Sequence, residues 1–141
     1  MYQFRRVLIG AALSIFSASA ALTEPLVADA KSRIIDLMLE STATIALRLH
    51  GNPTKDAQIA LARCRDAEKL AARYDPSLFY HGLIADCFGD ADLQLNNKKS
   101  ACAHYARALQ SYRAVPANDS NYANGAKKII RTQKAFSDLR C

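Results

Sequence analysis

The chain has 141 residues, half of them hydrophobic and 23% charged, which suits one globular domain with a modest core and excludes a low-complexity or disordered polymer. Its 19 Lys and Arg against 13 Asp and Glu give a net charge of +6, too mild a bias to mark a nucleic-acid-binding protein. Three histidines and five glycines leave little for a metal centre or a phosphate-cradling loop, so no cofactor is expected.

Residues 1–20 read as an export signal. Arg5 and Arg6 form a charged start, Val7 to Phe16 an apolar stretch, and Ala18-Ser19-Ala20 a small-residue cleavage site, placing the mature chain at 21–141. The apolar stretch is shorter than the roughly 20 residues that span a bilayer, and no other segment is apolar enough. No cysteine follows the cleavage region closely, so neither a lipid nor a helical membrane anchor is expected. The leader holds two arginines and no acid, which leaves the mature chain at +4.

Beyond the leader the apolar spacing is helical throughout, and the domain reads as all-α with about five antiparallel helices. The first helix is expected over Pro25 to His50, with Val27, Ile34, Met38, Ile45 and Leu49 inward and Asp29, Arg33, Asp36 and Glu40 outward. Proline suits its first turn, and Gly51 with Pro53 ends it. Asn52-Pro53 then supplies a cap and a first-turn proline for a second helix whose inner stripe is Ala57, Ala60, Cys64, Ala67, Leu70 and Tyr74. Asp75-Pro76 repeats that device with almost no loop, which implies an antiparallel hairpin. In the third helix Leu78, Phe79, Leu83, Ile84, Cys87 and Phe88 form the expected buried face, and Gly89 is a candidate stop, although Ala91 to Leu95 can extend it. After Asn96-Asn97 a fourth helix runs over Lys98 to Val115 and buries Ala101, Tyr105, Ala108, Leu109 and Tyr112. Pro116 to Asn121 is a loop, and a fifth helix follows from Tyr122 to Leu139, with Ile129, Ile130, Phe136 and Leu139 inward.

Exported chains keep disulfides, and Cys64, Cys87, Cys102 and Cys141 allow three connectivities. In an antiparallel hairpin, residues equidistant from the turn lie level, as the bond requires. Cys64 and Cys87 are centred on the Asp75-Pro76 turn, and Cys102 and Cys141 on the edge of the polar loop, so these pairs rank first. The rival joins Cys87 to Cys102 and Cys64 to Cys141. The cysteines read as a structural framework.

Other groupings carry less. His81, Cys87, Cys102 and His104 hold the atoms for zinc, but the six-residue step from His81 to Cys87 puts them on different helix faces. Asp86, Asp90 and Asp92 around Gly89 lack the order of a calcium loop and read as a solvated turn. No Gly-x-Ser-x-Gly elbow presents a serine, and all four cysteines can pair, so no enzyme is expected. Lys127, Lys128, Arg131, Lys134 and Arg140 face one acid, Asp138. The first four form a possible basic interaction face on what is otherwise a solvated helix with cations near its end.

Ala60, Cys64 and Ala67 share their spacing with Ala101, Tyr105 and Ala108 at an offset of 41 residues, each set followed by Pro76 or Pro116. The pattern, with Leu78 and Gly82, resembles tetratricopeptide and Sel1-like helical repeats over Leu78 to Pro116. His81 and Ala85 depart from that family, as does a period longer than its 34 residues, and the same alanines suit any closely packed helical hairpin. The resemblance implies a scaffold whose groove holds a segment of a partner protein. The function expected is a periplasmic or secreted protein-binding module, the alternative a periplasmic immunity protein that neutralises a toxin enzyme.

Overall fold

The computed structural model describes residues 18–74 and 76–141, with side chains from Pro25 onward. Arg5, Arg6 and the apolar stretch Val7 to Phe16 lie outside the described residues. Five helices follow one another: α1 (Ala18–Leu47), α2 (Pro53–Tyr74), α3 (Leu78–Gln94), α4 (Lys98–Arg113) and α5 (Tyr122–Asp138). No strand occurs among the described residues, so the chain is an all-α fold. No helix among them is long and apolar enough to cross a membrane.

Pro25 lies inside α1 and does not open it. Proline removes one backbone hydrogen bond, and the alanine-rich stretch before it favours helix strongly enough to carry the turn through. The α1 to α2 turn forms as its residues dictate. Gly51 takes a left-handed φ of +66°, and the Asn52 side chain accepts hydrogen bonds from the amides of Thr54 at 3.0 Å and Lys55 at 3.1 Å. Asp56, buried in the first turn of α2, accepts a bond from the His50 amide at 3.1 Å, and His50 Nδ1 stands 2.7 Å from the same oxygen.

Three packing details differ from the periodic reading. The buried stripe of α1 is Ala30, Ile34, Leu37, Ser41 and Thr44, while Leu49 is exposed, because the helix turns a face one residue aside from the expected one toward α2 and α3. In α5 only Gly125 and Thr132 are fully buried and Ile130 is exposed. Helix α3 is not amphipathic. It packs against α1, α2, α4 and α5, and buries Phe79, Tyr80, Ile84, Ala85, Cys87 and Phe88 with several polar neighbours, although Leu78 at its start is exposed.

Gly89 does not stop α3, which continues to Gln94. Its role is to admit an aromatic ring. A Cβ there would stand 2.6 Å from Cε1 of Tyr105, and one on Gly82 would meet the Tyr112 ring at 2.9 Å or less. The two glycines and the two tyrosines are each seven residues apart, so the rings of α4 seat in two notches on one face of α3. The inner stripe of α2 is likewise made of small residues, with Ala57, Ala60 and Ala67 wholly buried.

Both disulfides adopt the first-ranked pairing, Cys64 with Cys87 and Cys102 with Cys141, at Cα separations of 5.8 and 5.6 Å. The first ties α2 to α3 and the second ties the start of α4 to the residue beyond the end of α5. Each hairpin is thus cross-linked, with a typical stabilisation of about 2–4 kcal/mol per bond.

Gly82→Ala and Gly89→Ala should each destabilise the fold by about 1–3 kcal/mol in urea denaturation, because the tyrosine rings they crowd are buried and held at their hydroxyls. Gly125→Ala, whose added carbon would meet nothing closer than 3.7 Å, should be neutral or slightly stabilising.

Candidate functional site

Helix spacing sets three aspartates along α3, and the fold assigns each a partner. Asp86, expected in a solvated turn with Asp90 and Asp92, instead sits buried in mid-helix, because the glycine beside it packs rather than turns. Tyr112 donates its hydroxyl to Asp86 Oδ2 at 2.8 Å, and the Thr132 hydroxyl lies 2.9 and 3.0 Å from the two carboxylate oxygens. One residue pair per neighbour joins α4 and α5 to α3 at this point. One turn on, Asp90 accepts from the Tyr105 hydroxyl at 2.7 Å and from Arg131 at 3.0 Å. Asp92 accepts from the Ser100 hydroxyl at 2.5 Å, with His104 Nε2 at 3.5 Å.

Burial dominates the electrostatics of this seam. It pushes the Asp86 carboxyl above its ordinary range, against the hydrogen bonds of Tyr112 and Thr132, which favour the charged form. The Tyr105 and Tyr112 hydroxyls are driven far up, first by burial and then by the carboxylates they face, so both remain donors. Lys128, half-buried beside Asp86 and Asp90, is lowered by burial and then by Arg131. His104 is lowered by burial and then by Arg107, and its ring stacks on Phe88 at 5.1 Å.

Beside this seam, and sharing Asp90 and Arg131 with it, a groove of about 260 Å³ runs along α3 between α1 and α5. Ile45 and Ala46 of α1 form one wall, Leu93 and Arg131 the other, and Cys87 and Asp90 the floor. The Ser41 hydroxyl, also at this wall, stands 3.2 Å from Cys87 Sγ, which can only accept because the sulfur is disulfide-bonded. The α1 wall continues outward as an apolar stripe. Ile35, Leu39, Thr42 and Ala46 share one helix face by spacing, and Ile35 and Leu39 are 41% and 64% exposed. A second cavity of about 390 Å³ lies between α2, α3 and α4, lined by Ala71, Leu78, His81 and Ile84 and by the Glu68 to Arg107 pair at 3.4 Å.

The cations singled out in the sequence part company in the fold. Lys127 is exposed, Lys128 turns toward the buried aspartates, Arg131 pairs with Asp90 at the groove, and Lys134 pairs with Asp138 at 2.6 Å. Cys87 and Cys102 belong to different disulfides, so His81 and His104 gain no thiolate partner from them. The buried carboxylate of Asp86 escaped sequence reasoning. The signal that could have found it is the equal spacing of the two glycines and two tyrosines, which lays Tyr112 across Gly82 and its hydroxyl beside the acid one turn on.

Asp86→Ala should cost about 1–3 kcal/mol in urea denaturation, since it leaves the buried Tyr112 hydroxyl without its acceptor. Because folding raises the Asp86 pKa, its contribution is fully present below the unfolded value of 3.8 and is lost as pH rises through the folded value. Asp86→Asn, which does not titrate, should therefore remove that part of the decline in stability above pH 3.8, measured as the difference between the two proteins' pH profiles.

Comparison with protein-family models, curated proteins and solved structures returns no match, so function must be argued from this geometry.

Proposed function

We propose that this chain is an exported, disulfide-braced helical module that binds another protein in the groove between α1 and α5. It performs no catalysis, uses no cofactor and does not bind nucleic acid. The leader of residues 1–20 directs it to the periplasm or the exterior, where both disulfides persist.

The observation that carries the reading is the outward apolar stripe of Ile35, Leu39 and Ala46 on α1, which meets the groove at Thr42 and Ala46. A helix normally hides its apolar face against the core, yet α1 already has a buried stripe and presents this second one outward. The groove supplies the other half of a recognition surface, with Leu93 opposite and the Asp90 to Arg131 pair as a polar anchor. This combination suits a partner segment with apolar side chains at helical spacing.

A photo-crosslinking amino acid at Ala46 should capture one discrete protein in the native cell envelope, whereas the same probe at Lys69, on the outer face of α2, should not. Leu93→Arg should weaken that capture by about tenfold or more, as expected for a charge set in an apolar contact. Equal labelling from both probe sites, or none, would remove the reading. A captured toxin enzyme would assign the module to the immunity class. Mass spectrometry of the mature protein should find residues 1–20 absent and a mass four hydrogens below that of the all-thiol chain.

A further inference from the structure

The two disulfides differ in surroundings. Cys64 is wholly buried and Cys87 is 8% exposed, whereas Cys102 is half-buried and Cys141 exposed. An attacking thiolate must approach a sulfur directly, so the second bond is the one open to exchange. That bond clamps the end of α5, the helix with the weakest hold on the rest. Only Gly125 and Thr132 of α5 are fully buried, its ties to α3 are the polar contacts to Asp86 and Asp90, and Ile129 and Phe136 are partly covered. Yet α5 supplies Arg131 to the groove.

We propose that Cys102–Cys141 is a redox latch: its reduction frees α5 from α3 and α4 and removes the Arg131 wall of the groove, while Cys64–Cys87 keeps α2 and α3 joined. The site under control is the one proposed above, and the latch deepens that reading. The reductant is a protein or small-molecule dithiol. One of its thiolates attacks Cys141 Sγ, the Cys102–Cys141 bond breaks, and Cys102 leaves as a thiolate that takes up a proton. The second thiol then displaces Cys141 from the mixed disulfide, so two electrons pass to the cysteine pair and the dithiol leaves as its own disulfide. Release of α5 strips Thr132 from Asp86 and lets water reach that carboxylate, which weakens the seat of the helix further.

The test treats the folded full chain with graded dithiothreitol, traps free thiols by alkylation, and follows amide hydrogen exchange by mass spectrometry. Cys102 and Cys141 should be labelled at lower dithiothreitol than Cys64 and Cys87, and in that half-reduced protein amides 122–138 should exchange about tenfold faster or more, with α2 and α3 still protected. The double variant Cys102→Ser with Cys141→Ser should behave the same way without reductant. Unchanged protection of α5 once its clamp is open would overturn the proposal, as would Cys64–Cys87 opening first. Exchange is read without any partner, so a failure of the protein-binding reading leaves this result standing.

Discussion

Helix α3 touches every other helix, and a segment so enclosed must settle each polar group it carries within the protein. Asp86 shows how tightly that condition binds. An unpaired carboxylate in such a place would cost several kcal/mol, and water is not available to relieve it. Two hydroxyls from two different helices take that role, so the acid organises the seam: Tyr112 cannot reach it unless α4 lies close, and Thr132 cannot unless α5 lies over both. Close approach in turn requires Gly82 and Gly89, because any side chain at those sites would occupy the space of the tyrosine rings. Glycine, ring and carboxylate thus form one dependent chain of requirements.

Covalent bracing supplements this polar seam. The α2 to α3 contact is built from alanines and bears a buried sulfur bridge, while α5, which buries little, is tied at its far end. The α1 to α2 contact has no disulfide. It relies on small residues, on the His50 to Asp56 contact at the turn and on an ion pair between Glu40 and Arg63 at 3.0 Å, which is partly exposed and adds little. The first disulfide lies within the main apolar cluster, and the second lies at the margin of the domain.

Much of this architecture was legible in the residues. Helix order and number and the stripe of α4 follow from local rules, and the observed cysteine pairing is the one that equidistance from the turns ranks first. In α3 the expected inner residues Phe79, Ile84, Cys87 and Phe88 are buried, while Asp86 and Gly89 differ from expectation. Amphipathic logic assumes one wet face, and a helix packed against four neighbours keeps little of one, so Asp86 reads as surface and Gly89 as a candidate end. The start of α1 was misplaced because Pro25 is compatible with a first turn but does not compel one. The groove was invisible, since its walls come from residues more than 80 positions apart, and only tertiary placement joins Ala46 to Arg131.

The paired notches on α3 restrict how the module can deform. A ring seated in a hole shaped by a missing side chain resists gliding along the helix, since sliding would drive Tyr105 toward the side chains three and four residues from Gly89 on the same face. Shear between α3 and α4 is therefore opposed, and these two helices travel as a single rigid plate. Any breathing that widens or narrows the groove must come from pivoting of α1 and α5 about that plate, at the connections near Gly51 and between Ala114 and Asn121.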